Sequence, residues 1–276
     1  MTEASASSAT RASSSAATAV GAHVDQSDPI TAAAAIGADA VQIFLGDPQS
    51  WKAPEVRYPG GAEALKRAAT DAGVQIYVHA PYVINVASTN NRIRIPSRKA
   101  LAAHVKAASE IGAAGLIVHG GHVTAGEEAS VGFENWRKAF ASIDPLCPVL
   151  IENTAGGNHA MARRPEALAG LFGALEDYDV GFCLDTCHAW AGGMSLPEAA
   201  AICRQITGRI DLVHANDSRG GFDSGQDRHA NFGEGSCDLT ALLDTIALAE
   251  APAVICETPA DGVREDMAAI RARLSQ

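Results

Sequence analysis

Eight short, apolar, β-prone runs punctuate the chain, and a longer Ala-rich amphipathic stretch separates each from the next. The runs are AVGAHV (19–24), DAVQIFL (39–45), VQIYVHA (74–80), GLIVHG (115–120), PVLIEN (148–153), VGFCLDT (180–186), IDLVHAN (210–216) and AVICET (253–258). Strands that are apolar throughout and alternate with helices imply a parallel sheet covered on both faces. Eight such units in about 255 residues fit a closed (β/α)8 TIM barrel better than an open sheet. A solenoid has a similar repeat length, but these units share no motif beyond their layout. The expected fold is therefore α/β, a single barrel domain over 19–276, with a disordered Ala/Ser-rich tail over 1–18.

Punctuation places the helices. Ser27-Asp28-Pro29 supplies a cap and a first-turn proline, and Pro165 opens another helix. Pro96 or Ser97 is expected to open a long helix ending near Gly112, Pro197 lies in the first turn of one entered at Ser195, and Asp238 caps the next.

Hydrophobic residues make up 47% and charged residues 19%, a globular rather than disordered balance. No apolar run approaches the roughly 20 residues that span a bilayer. The opening MTEASASSATRASSSAATA has no apolar h-region and does not read as a secretory signal. Six scattered cysteines in a chain of this size read as free thiols, which places the expected location in the cytoplasm.

The strand ends are chemically narrow. Strand three ends at His79, strand four at His119, strand five at Glu152, and strand six at Asp185 with His188 just beyond. Strand seven ends at His214 and strand eight at Glu257, and the loop after strand seven adds Asp227 and His229. In a barrel all strand C-termini open on one face, where such proteins place their chemistry. One histidine at a strand end is more often a hydrogen-bonded structural residue than a ligand. Six successive strand ends doing so independently is improbable. Five imidazoles and four carboxylates are the donor set of zinc, or zinc with manganese or iron, and nine donors exceed what one ion uses. Asp227 and His229, two apart, reach the same side of an extended segment. His23 in strand one reads as a support behind the ligands or as a substrate contact. His104 and His159 read as structural or surface residues, and His122 is left open.

The chain resembles the endonuclease IV family of apurinic/apyrimidinic endonucleases. The resemblance rests on GAHV (21–24), HAPYVINVAS (79–88), IENTAGG (151–157), CLDTCHAW (183–190), HANDS (214–218), DRHANFGEG (227–235) and CETP (256–259). It implies a TIM barrel with three zinc ions that hydrolyses the phosphodiester 5′ to an abasic site in double-stranded DNA. The ends left would be a 3′-hydroxyl and a 5′-deoxyribose phosphate. Carried over residue by residue, His79 and His119 would hold one zinc, with Glu152 bridging to a second. Asp185, His214 and Glu257 would complete the second, and His188, Asp227 and His229 would hold the third. Manganese at one position is compatible with these donors. Glu152 would also orient the attacking hydroxide, its catalytic role. Tyr82 and Val83 are implied as wedges into the minor groove, with Asn85 and Gln49 as polar DNA contacts, and Arg92 and Arg228, by their place in loops beside the site, read as further DNA contacts. Trp51 reads as packing. The protein is expected to act as a monomer, with no membrane partner.

Three features depart from the family pattern. The loop FLGDPQSW (44–51) carries Asp47 and no basic residue, where the family often has an arginine before the tryptophan. HGGH (119–122) looks shorter than the family form, and the first 18 residues have no counterpart. The net charge of −11 opposes DNA binding only as a sum. Arg92, Arg94, Arg98, Lys99, Arg163, Arg164, Arg219 and Arg228 lie on the active side, and bound zinc adds positive charge. The rival reading is a metal-dependent sugar isomerase or epimerase on the same barrel, which has fewer histidine ligands. A lesion-binding protein without activity is the third, and it would be expected to have lost ligands.

Overall fold

Each of the eight apolar runs forms a strand: β1 (Ala19–His23), β2 (Ala40–Phe44), β3 (Gln75–His79), β4 (Gly115–His119), β5 (Val149–Glu152), β6 (Gly181–Asp185), β7 (Leu212–Ala215) and β8 (Ala253–Cys256). In this computed structural model, which describes residues 17–276, they close into a parallel barrel in which β1 pairs with both β2 and β8. Residues 1–16 of the expected tail lie outside the described residues. Thr18 already belongs to the barrel's edge, donating to the Ala251 carbonyl at 3.2 Å.

Strand alternation sorts the core into two compartments. Inward side chains (Ala19, Ala40, Tyr77, Ile117, Leu150, Cys183, Leu212, Ala253 and Ile255) fill the barrel. Outward ones such as Val41, Val78, Val118, Ile151, Phe182 and Val213 meet the helices, where Leu65, Leu101, Trp136 and Leu171 are buried. Gly21, on the inward side of β1, has no room for a side chain. A Cβ there would stand 1.6 Å from the Ala40 carbonyl oxygen, so β1 and β2 close together only because this residue is glycine.

The helices mostly begin where their caps predict. Asp28 accepts from the Thr31 amide ahead of α1 (Pro29–Ile36), and α2 (Gly61–Ala72) follows β2. The long helix α3 (Asn91–Glu110) starts earlier than expected, because the Asn90 side chain caps the Arg92 amide at 2.9 Å. Pro96 lies inside it, and the neighbouring Ser97 hydroxyl donates to the Ile93 carbonyl at 2.8 Å. The basic run 92–99 is therefore helical. After α4 (Ala129–Phe140), α5 (Pro165–Ala174) opens at its proline. The six-residue α6 (Thr186–Ala191) is capped by Asp185, whose side chain accepts from the His188 amide at 2.6 Å. Pro197 is the residue before α7 (Glu198–Thr207) rather than within its first turn. Asp238 caps α8 (Leu239–Ala249), and α9 (Val263–Leu274) ends the chain. No helix among the described residues is long and apolar enough to cross a membrane.

Candidate metal centre

The inward positions that fill the barrel also dictate what stands at its mouth. Two residues beyond each inward apolar side chain, a polar one occupies the next layer on the same side. Tyr77 is followed by His79, Ile117 by His119, Leu150 by Glu152, Cys183 by Asp185, Leu212 by His214 and Ile255 by Glu257. Strand register then levels them: His119 pairs with Glu152 between β4 and β5, and Asp185 with His214 between β6 and β7. His188 arrives on the first turn of α6. Asp227 and His229 come from the long segment after β7, where Asp217–Ser218 and His229–Ala230 form a short antiparallel ribbon.

Asp217 anchors that segment. Its buried carboxylate accepts from the backbone amides of Ser218, Gly233, Gly235 and Cys237, all within 3.1 Å. Asp266 performs a similar task nearby, accepting from the Asn231 amide and the Phe232 backbone.

The nine side chains converge in three groups: His79, His119 and Glu152; Glu152, Asp185, His214 and Glu257; and His188, Asp227 and His229. Within each group, the atoms able to ligate lie within 4.8 Å of one another, and Glu152 belongs to two of them. Its Oε2 is 3.1 Å from His79 Nε2 and 3.2 Å from His119 Nε2, while its Oε1 is 3.0 Å from His214 Nδ1. A fourth convergence, Asp185, Cys187 and His229, offers a thiol as third donor. Burial pushes that thiol up to about 12, so ionising it costs more than using the imidazole and carboxylate donors beside it.

The rings are oriented from behind. His79 Nδ1 donates to the Ala80 carbonyl at 2.7 Å and His188 Nδ1 to the Asn153 carbonyl at 2.9 Å, so both turn Nε2 toward the mouth. His188 Nε2 and His229 Nε2 are buried and have no hydrogen-bond partner, the condition of nitrogens directed at a cation.

The electrostatics agree. Burial opposes charge on Glu152 and Glu257, yet the surrounding imidazoles outweigh it and hold both carboxyls low, Glu257 at about 2. Burial prevails at Asp185 and raises it. Burial also opposes charge on His188, His214 and His229, but neighbouring carboxylates, preceded at His214 by the Cys183 sulfur, prevail and raise all three, His229 to about 9. The donor set thus carries enough negative charge to hold protons on its histidines, and those protons stand where divalent cations would neutralise the same carboxylates.

Three buried amides at the centre were not singled out from sequence. Asn216 donates to Asp185 Oδ2 at 2.7 Å and accepts from the Glu257 amide. Asn153 accepts from the Asp185 amide at 2.7 Å and donates to its carbonyl. Gln42 donates to Glu257 Oε1 at 2.6 Å and accepts from His214 Nε2 at 2.7 Å. The signal for Gln42 was present: it stands two residues beyond inward-facing Ala40, so β2 adds to the same polar layer. Gln42 Nε2 is also 3.2 Å from His23 Nδ1, which puts His23 behind the ligands. Burial pushes His23 down to about 4.

The rim residues divide. Tyr82 is 52% exposed and lies over His119, with ring centroids 5.6 Å apart, so its far face is open to a ligand. Its backbone amide donates to the Pro48 carbonyl, joining the 81–90 and 44–51 loops. Gln49, Arg92 and Arg228 are exposed and Val83 is half-buried. Trp51 is 47% exposed, contrary to its reading as packing. Asn85 is buried, and its amide is engaged by the His122 backbone, so it braces the loop rather than facing outward. Arg163 is buried and Arg164 exposed, and both pair with Asp223 at 3.0 and 2.7 Å, which offsets part of the charge expected on the basic face. A cavity of about 540 Å³ between Phe140, Cys147 and Tyr178 lies at the opposite end of the barrel and takes no part in this centre.

Comparison with known proteins agrees with the architecture. A family profile described as xylose isomerase-like TIM barrel matches residues 30–273. The chain is 54% identical over 254 residues to a protein named probable endonuclease 4 from Mycobacterium tuberculosis, covering 92% of this chain and 98% of the relative. The chain belongs to the endonuclease IV family. A namesake from Mycobacterium marinum is 52% identical and covers 93% of this chain and 99% of its own. Among solved structures, endonuclease IV from Thermus thermophilus superposes with a TM-score of 0.80 at 27% identity, covering 93% of this chain and 99% of that one. A D-tagatose 3-epimerase-like protein, at 20% identity and a TM-score of 0.74 over 93% of this chain and 97% of its own, shares the fold. Endonuclease IV membership and an eight-stranded parallel barrel are both as the sequence motifs implied.

Proposed function

We propose that this protein is a zinc-dependent endonuclease that cleaves duplex DNA on the 5′ side of an abasic site, leaving a 3′-hydroxyl and a 5′-deoxyribose phosphate. The observation that carries the reading is the convergence of nine ligand-type side chains into three groups sharing Glu152. Imidazole and carboxylate donors in sets of three and four suit zinc, with manganese tolerated at one position. Bound zinc supplies Lewis acidity and lowers the pKa of water toward neutrality.

The chain's own groups do the rest. His79 and His119 hold one side of Glu152, and Asp185, His214 and Glu257 hold the other. The carboxylate that joins the two sets is placed to orient a water between them. The group of His188, Asp227 and His229 reaches solvent through Asp227, which is 54% exposed, while His188 stays buried, and it is suited to meet a phosphate. Tyr82, Val83 and Gln49 on the rim are in position to enter the minor groove and stack beside a displaced nucleotide. Exposed Arg92 and Arg228 supply phosphate contacts, so affinity falls as salt rises. The inner groups alone would suit a sugar epimerase, and the third group is what favours phosphodiester hydrolysis.

The deciding assay incubates the purified, zinc-replete protein with duplex DNA bearing one tetrahydrofuran abasic analogue, with and without a chelator. Incision 5′ to the analogue that the chelator abolishes is expected. No incision by the zinc-replete protein would overturn the reading, and undiminished incision by Glu152→Gln would overturn the role given to Glu152.

A further inference from the structure

We propose that Gln42 is a positioning residue that selects which nitrogen His214 presents to the metal centre and which oxygen Glu257 leaves free for it. This rests on the zinc reading above, and it concerns a residue outside the nine donors.

Hydrogen-bond logic fixes the geometry. An ionised carboxylate only accepts, so the Gln42 atom 2.6 Å from Glu257 Oε1 must be the amide nitrogen. The Gln42 oxygen then faces His214 Nε2 at 2.7 Å, and that oxygen can only accept. His214 Nε2 therefore carries a proton that Gln42 holds in place, and Nδ1, which donates to Glu152 in the metal-free protein, is the nitrogen whose proton a metal would replace. Nδ1 is the atom that lies 3.0 Å from Glu152 Oε1 and 3.4 Å from Glu257 Oε2. The second amide proton of Gln42 points to His23 Nδ1, 3.2 Å away, so His23 accepts and terminates the chain of hydrogen bonds. Gln42 is fully buried, and the alternative orientation of its amide would set oxygen against carboxylate.

His214 differs in this from its neighbours. Backbone carbonyls hold His79 and His188, and both turn Nε2 toward the mouth. A replaceable side chain holds His214, which presents Nδ1. The same amide engages one oxygen of Glu257 and leaves Oε2 to the centre, so a single residue orients two donors of one group.

The test uses the full-length protein loaded with zinc. Histidine ring 15N and 1H spectra of the unaltered chain should show His214 with its proton on Nε2. A proton on Nδ1 in the zinc-loaded protein would overturn the proposal without any variant. Gln42→Met, close in shape but unable to donate or accept, should release zinc to a chromogenic chelator about 10–100-fold faster. Its incision rate should fall at limiting zinc and recover at saturating zinc. Gln42→Glu keeps the acceptor and should retain the Nε2 proton signal. Release from Gln42→Met within twofold of the unaltered rate, or loss of incision that zinc does not restore, would overturn the proposal. Failure of the unaltered chain to take up zinc would instead sink the functional reading.

Discussion

His188 Nε2 lies 3.1 Å from Asp227 Oδ2, yet this buried nitrogen has no hydrogen-bond partner. An imidazole nitrogen and a carboxylate held side by side without hydrogen-bond geometry describe a cation site better than an ion pair, and in the metal-free protein a proton stands where the cation would. His229 Nε2 stands in the same relation to Asp227 at 3.2 Å.

Replacing Asp227 with Asn should remove about one zinc per chain and leave the remaining ions bound. Incision should fall on the order of 10²-fold or more, the cost of losing a group that stabilises developing charge. Metal analysis by mass spectrometry, alongside incision rates, checks both. Full zinc content in this variant would show that the third group does not hold a metal.

Removal of metal should expose opposing pH dependences. Carboxylates raise His229 to about 9 against the pull of burial, from an ordinary value of 6.5. Its contribution to stability is complete below about 6.5 and is lost as pH rises through about 9. His23 has the opposite sign: burial lowers it to about 4, so stability is lost as pH falls from about 6.5 toward 4. Thermal unfolding of the metal-free protein should therefore peak near pH 6.5, and His229→Gln should flatten the alkaline side. An unchanged alkaline slope in that variant would contradict the assignment.

All six cysteines are free and buried, and burial pushes the Cys147 thiol to about 11 and those of Cys183 and Cys203 to about 12. The native protein should react with a chromogenic disulfide reagent at pH 8 slowly, on the timescale of unfolding, and release six equivalents only in denaturant. A rapid burst of even one equivalent from native protein would contradict this.

Gly21→Ala should destabilise the barrel by about 3 kcal/mol, at the upper end for overpacking, because β1 must move away from the Ala40 carbonyl. A urea midpoint that corresponds to less than about 1 kcal/mol would show that the strands separate at little cost.

The barrel and most of the centre were legible from sequence because period-two alternation ties a ligand to an apolar residue two places earlier. Counting inward from Leu150 or Leu212 leads directly to Glu152 or His214. Gln42 obeys the same rule but carries no signal of its own, since an amide is not a metal donor and its value depends on His214 and Glu257. Asn153 and Asn216 were read within motifs without a task for the same reason. The basic face is smaller than the sequence suggests because the pairing of Arg163 and Arg164 with Asp223 spans about 60 residues and leaves no local signature. Asn85 turns inward because His122, in the neighbouring loop after β4, satisfies its amide.

The anchoring of the 217–237 segment on Asp217 separates two kinds of permanence in one centre. The six strand-end donors are as durable as the barrel wall and are displaced only when it opens. Asp227 and His229 belong to a segment tied down by two carboxylates, Asp217 and Asp266, so change there can abolish the outer group while the barrel folds unaltered. A lineage built on this scaffold can gain or lose phosphodiester chemistry at its periphery without rebuilding what lies beneath.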